Sequence, residues 1–263
     1  MAQWASGFGK GISGNIGQFR FPIDILNQQD YAMVFHDFID VGGFDSTVDW
    51  TNTDVGIPTA ATIAYNADAS LGRGGILLIN AGSADSTGIQ SQRTGFSGEY
   101  IQPTTSKAFG FGCRFTTAGT CAVSLSGLML GLAQTDTTSI STAGANAVTN
   151  TIAFYSSTTS AALTLEARRS SGSGTGSLTM GTLAHATYNE VCFWVQPKTI
   201  SSDSDNGGIF GYARNSTSGL WTLVGGINAA IPNTEMCPTI ASVNGIATDS
   251  DVHLDYYWVA VER

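Results

Sequence analysis

Three histidines, His36, His185 and His253, supply the chain's imidazoles, and two of them stand beside carboxylates in His36-Asp37 and His253-Leu254-Asp255. If the strands carrying them pair, a His/Asp cluster forms. Hydrolysis would also need a nucleophile within hydrogen-bond reach of the ring, and the sequence places none. Gly95-Phe96-Ser97-Gly98-Glu99 opens like a G-x-S-x-G turn but closes on Glu99, with no helical pattern after it. A structural polar cluster is therefore expected of the histidines. Glycoside cleavage needs two carboxylates flanking the scissile bond. The strand pattern E-x-D-x-x-E is absent, and Glu166 runs into Ala167-Arg168-Arg169. Asp203, Asp205 and Asn206 offer three oxygen ligands, short of the roughly six to eight that calcium takes; an ordinary acidic turn is expected. The Ser/Gly run at residues 172–176 has no lysine and opens no helix, so it reads as a solvated hairpin, not a phosphate loop. No catalytic residue, metal site or cofactor is predicted. Sugar binding demands less, an aromatic platform and a few polar groups. Trp50, Tyr212 and Trp221 fall in or near predicted loops and could form one, or simply cap the ends of the fold.

The elements that would position these residues are strands. No segment carries an apolar stripe of helical period without glycine or β-branched interruption. At residues 107–117, Phe109, Phe111, Cys113 and Phe115 alternate with Ala108, Gly110, Gly112 and Arg114, the period of a strand with one aromatic face. Residues 122–134 set Leu128, Leu130 and Leu132 against small residues, and the small face predicts close approach by a second layer. Further strands are predicted at 32–39, 59–65, 75–80, 89–94, 150–155, 161–169, 188–196, 209–214, 219–224, 236–243 and 252–261. About a dozen short strands separated by Ser/Gly/Asp turns predict an all-β fold, a two-sheet antiparallel sandwich of the jelly-roll or concanavalin A-like kind. A parallel α/β fold lacks its helices, and no repeat marks a propeller or solenoid.

Composition narrows the function. Twenty acidic against 11 basic residues leave a net charge of −9 in 263 residues, and only 12% of the chain is charged. At a pI of about 4.5, a duplex-DNA partner is excluded by electrostatics. No apolar run approaches the ~18 residues of a spanning helix, so no membrane partner is predicted. Cys113, Cys121, Cys192 and Cys237 show no paired spacing and are expected to be buried small hydrophobes. With no export signal read at the start, synthesis in a cytoplasm is expected. Residues 1–30 differ from the rest. Five glycines, the aromatic residues Trp4, Phe8, Phe19 and Phe21, and the basic Lys10 and Arg20 fit either a flexible tail or, in the sharper reading, an extended N-terminal arm that orders on a partner, with residues 31–263 forming the sandwich.

Several stretches carry a resemblance: Val34-Phe35-His36-Asp37-Phe38 followed by Trp50; Glu99-Tyr100-Ile101-Gln102-Pro103 leading into Phe109–Phe115 with Arg114; and Leu254-Asp255-Tyr256-Tyr257-Trp258-Val259-Ala260-Val261-Glu262-Arg263. Over about residues 31–263 the chain resembles concanavalin-like or jelly-roll virion proteins of tailed bacteriophages. That resemblance implies a non-enzymatic structural protein, a capsid decoration or cement protein on the outside of the head, made in the host cytoplasm. Its implied partners are the major capsid protein and its own copies, as a homotrimer on a local three-fold axis. The alternative is a glycan- or receptor-binding module of a tail or fibre, using Trp50, Tyr212 and Trp221. Glycan cleavage is the third reading.

Overall fold

The computed structural model describes residues 31–36, 50–56, 61–68, 73–94, 101, 107–119, 126–169, 175–196, 208–215 and 218–262. Among them there are fifteen strands and no helix. In chain order they are β1 (Tyr31–His36), β2 (Trp50–Val55), β3 (Thr62–Asp68), β4 (Arg73–Asn80), β5 (Gly88–Arg93), β6 (Phe109–Gly119), β7 (Ser126–Ala133) and β8 (Thr151–Ser156). These are followed by β9 (Ala162–Arg168), β10 (Thr175–Thr182), β11 (Asn189–Gln196), β12 (Gly208–Arg214), β13 (Trp221–Ile227), β14 (Cys237–Asn244) and β15 (Ser250–Glu262).

They form two antiparallel sheets. The front sheet runs β13-β12-β11-β6-β15-β4-β3, with β1 also pairing to β15, and the back sheet runs β10-β9-β8-β7-β14-β5-β2. At 13 residues, β15 is long enough to pair with β6 along its length while its first part holds β4 and its last part β1.

The core lies between the sheets. From the front come Phe109, Phe111, Phe115, Phe193, Tyr257 and Val259; from the back come Leu128, Leu130, Leu132, Phe154, Leu165 and Ile240, all buried. Phe111 stacks on Phe193 at 5.9 Å and on Tyr257 at 6.0 Å between ring centroids. Each such side chain removed from water stabilises the fold by about 1.5–3 kcal/mol.

Two sequence expectations are corrected. Trp50 is not in a loop: it opens β2, is 3% exposed, and meets Tyr257 edge-on in the core. The run at 172–176 is not wholly a solvated hairpin either, since Thr175 and Gly176 begin β10 and pair with Arg168 and Ala167. Edge pairing with a single neighbour makes strands of both segments despite their polar or glycine-rich composition.

The small face of β7 is closely approached, as its residues predict, but by the chain's own excursion at residues 134–150 rather than by the other sheet. Ile140 and Val148 of that excursion pack with Met129, Ala133, Ala153 and Tyr155 on the outer side of the back sheet. Side chains of β5 clasp it. Gln90 donates to Asp136 O at 2.7 Å and accepts from Ser139 N at 2.6 Å; Gln92 donates to Gln134 O at 3.1 Å and accepts from Asp136 N at 2.9 Å.

Cys113, Cys192 and Cys237 are buried free thiols, and burial raises the first two well above the ordinary thiol range. Cys121 lies outside the described residues. Among the described residues no helix is long and apolar enough to cross a membrane.

Candidate functional site

The outer side of the front sheet is built in cross-strand rows. One row reads Leu223, Tyr212, Cys192, Gly112, Trp258, Phe35 from β13 to β1; the neighbouring one includes Phe210, Trp194, Gly110 and Ala260. The glycines of β6 are what lets this face be aromatic. A methyl group at Gly112 would fall 2.5 Å from the indole of Trp258, and one at Gly110 would collide with Trp194. The two indoles thus lie flat over the β6 backbone, and Phe35, Tyr212 and Trp221 pack around them. Trp258 is 1% exposed, while Tyr212 and Trp221 remain half-buried. Burial raises the Tyr212 hydroxyl above its ordinary value.

The third row is charged. Trp221 stands opposite Arg214, Glu190 opposite Arg114, and Arg114 opposite Tyr256. Arg214 Nη1 donates to Glu190 Oε2 at 2.7 Å, the Tyr256 hydroxyl donates to Glu190 Oε1, and Arg114 Nη1 donates to Asp255. Arg214 also donates from Nε to Gly219 O at 2.9 Å, and the Arg114 guanidinium lies 4.3 Å above the ring of Tyr188. Burial first, and the neighbouring Glu190 carboxylate second, push the Tyr256 hydroxyl far above the ordinary phenol range, so it stays a donor. Charge-assisted bonds of this kind are short and directional, and they hold both guanidinium planes in fixed orientations. A β-bulge at Asp255, where the β15 register slips between Leu254 and Tyr256, puts the Asp255 carboxylate within reach of Arg114.

Glu190 and Arg214 of this row line an open cleft of about 180 Å³ at one end of the sandwich. Leu163, Met180, Val191 and Ala213 give it an apolar floor; Thr182, Thr187, Asn189, Glu190 and Arg214 give it a polar rim. The lining, an apolar base with a few fixed polar groups, is of the kind found in small-ligand sites, in a cleft smaller than their usual roughly 300–1,000 Å³. Acid–base chemistry is less well served, because both oxygens of Glu190 and one of Asp255 are already engaged by donors.

The structure brings together Tyr212 and Trp221 and separates them from Trp50, which faces the opposite side of the front sheet within the core. The first and last strands do pair, yet His36 stands opposite Tyr257, while His253 stands opposite Leu78 and Thr116. His253 is buried and His185 is exposed in a turn, while His36 pairs four positions along β15 from His253. Glu166, expected to lack a carboxylate partner, accepts from Asn146 and Arg168 at 2.9 and 2.7 Å. Trp4, Phe8, Lys10, Phe19, Arg20, Phe21, Ser97, Asp203, Asp205 and Asn206 lie outside the described residues. Among the described residues no group of three or more His, Cys, Asp or Glu could hold a metal ion.

The sequence reading named Asp255 only as a neighbour of His253 and Arg114 and Tyr256 only within the resemblance, and it missed Glu190, Tyr188 and Arg214. One local signal points to them. The inward positions of β15 run Val252, Leu254 and then Tyr257, Val259, Val261, a one-residue slip in the alternation that marks the bulge at Asp255.

No family model and no curated relative matches the chain. Solved structures do match in fold. Lectin I of Ulex europaeus, determined with the methyl glycoside of α-L-fucose, superposes at a TM-score of 0.57 and 10% identity, covering 88% of this chain and 98% of the lectin. Endo-1,3-β-glucanase from Streptomyces sioyaensis matches at 0.55 and 10% identity, over 88% and 96% of the two chains. A carbohydrate esterase of the Shiga toxin-encoding bacteriophage phi24B matches at 0.50 and 13% identity, over 87% and 97%.

Proposed function

We propose that this chain, a concanavalin A-like sandwich of the fold that lectins and glycoside-cleaving enzymes share, is a non-enzymatic glycan-binding module, carried on a tailed-phage particle as the resemblance in its sequence implies. The observation that carries the binding reading is the Trp221–Arg214–Glu190 row. It sets a half-exposed indole of the outer face in register with a guanidinium whose plane is fixed by a carboxylate, and that guanidinium and carboxylate also line a cleft with an apolar floor. A pyranose ring presents an apolar face and an edge of hydroxyls. The indole suits the first; the guanidinium and the amide of Asn189 suit the second. Glycan-array binding by the intact chain, followed by titration of the best glycan, tests this. Trp221→Ala should weaken binding at least about tenfold with the fold unchanged. No glycan bound, or unchanged affinity in Trp221→Ala, overturns it.

A second reading, head decoration with the major capsid protein as partner, is favoured by the scarcity of charge, 12% of residues, that a protein with buried subunit contacts would carry. Copy number on purified virions separates the two: hundreds of copies fit decoration, and a handful at the tail fits the glycan-binding role. Release of sugar or acyl groups from glycans by the purified chain would overturn the non-enzymatic part of both.

A further inference from the structure

The edge strands β10 and β13 end the back and front sheets on the same side of the sandwich. They lean on each other: Leu178 of β10 sits over Gly225 of β13, where a methyl group would fall 2.8 Å from Leu178 Cδ1. Together they make one flank, and the sequence strips that flank of charge. No Lys, Arg, Asp or Glu occurs between Arg169 and Glu190, nor between Arg214 and Glu235, in a chain of net charge −9. The same flank carries exposed apolar side chains: Leu220 is 53%, Leu223 52% and Val224 38% exposed. Exposed apolar side chains clustered on a flank without charge mark an association surface.

We infer that this flank is where two copies of the chain meet across a two-fold axis. Its lack of charge argues for a second copy. Two molecules each bearing −9 repel wherever their acidic surfaces approach, and a charge-free flank is where like meets like without that cost. A surface that meets itself is isologous, which gives a closed dimer. The contact is made by side chains, not by an added strand. Both edges are bulged, β10 at Met180 and β13 at Val224, so neither offers a regular ladder to a new neighbour. This inference does not rest on glycan binding.

Size-exclusion chromatography with light scattering on the full chain tests it, with an expected mass about twice 27.4 kDa. Leu223→Glu/Val224→Glu should raise the dissociation constant at least about a hundredfold, or about 2.7 kcal/mol. Near-ultraviolet circular dichroism reports whether that variant is folded. If it is not, Leu220→Lys, placed before the strand, should still weaken association at least about tenfold. A monomer at roughly 100 μM, the three-fold assembly that the phage resemblance implies, or a dimer indifferent to the folded variants overturns the inference.

Discussion

The two sheets hide their outer faces by different means. The back sheet is covered by the chain itself: residues 134–150 lie across β7 and β8, held by backbone groups that bond to Gln90 and Gln92. The front sheet is covered by its own side chains, with Trp194 and Trp258 laid over Gly110 and Gly112 of β6. A face sealed by backbone has its polar groups consumed by the seal. A face covered by side chains can end in a row of fixed charges beside half-exposed rings, and the candidate site lies at that end.

If the front face depends on glycine beneath tryptophan, its largest weakness is at β6. Gly112→Ala sets a methyl group 2.5 Å from a ring that is itself buried on all sides. Overpacking of this kind should cost about 3 kcal/mol. In urea unfolding, the midpoint of Gly112→Ala should fall well below that of Gly226→Ala, whose added methyl group would stand 3.4 Å from Phe210 in ordinary contact. Equal midpoints would mean that the indole of Trp258 does not need the glycine.

On the back face the corresponding weakness is polar. Gln92→Ala leaves Gln134 O and Asp136 N without the side-chain partners they have now. Losing these part-buried bonds should cost about 1.5 kcal/mol. The loss should appear locally, as faster amide exchange at Asp136 and Ser139, while amides of β6 and β11 keep their protection. Uniform loss across both sheets would show that the excursion is part of the global folding unit and not a separate lid.

Between these faces, Glu190→Gln sharpens the contrast at the candidate site. It removes the charge that fixes Arg214 and accepts from Tyr256, in a pair whose side chains are 19% and 10% exposed. A stability loss of about 1 kcal/mol is expected, with glycan affinity falling alongside it. Unchanged affinity in a folded Glu190→Gln would remove the charged row from the binding site.

Legibility in the sequence follows the same division. The strands of the core are written in alternation, clearest in β6 and β7, where one residue in two is a large apolar side chain. Trp50-Thr-Asn-Thr-Asp-Val and Thr175-Gly-Ser-Leu-Thr-Met carry no such alternation, and become strands only because β5 and β9 offer them a free edge. Of the candidate site, Tyr212 and Trp221 could be picked out by type. Trp50 could not be told apart from them, since an indole at a strand start reads the same whether it faces the core or solvent. The partnership of Glu190 with Arg114 and Arg214 depends on the register of three strands distant in sequence, and local pattern does not encode register.

The smallest effect is expected at Asp251, on the outer side of the front sheet away from the aromatic rows. Its carboxylate is half-buried and accepts from Asn80 Nδ2 at 2.7 Å. Burial raises its pKa above the ordinary carboxylate value; Asp249 adds to the shift, while His253 and the Asn80 bond oppose it. In the folded chain Asp251 therefore holds its proton at pH values where the unfolded chain, with a pKa near ~3.9, has released it. Its contribution is fully favourable below that unfolded value, and is lost as pH rises through the folded one. Asp251→Asn should consequently be more stable than the parent at pH 7, by about 0.5 kcal/mol, because an amide oxygen still accepts from Asn80 without the cost of a buried charge. The gain should disappear as pH falls below the unfolded carboxylate value, where the parent is protonated in both states. Thermal unfolding of the two proteins across that range measures it. A gain that persists at low pH would trace to packing and not to the charge, and would place this end of the front face with the clasped back face rather than with the charged row.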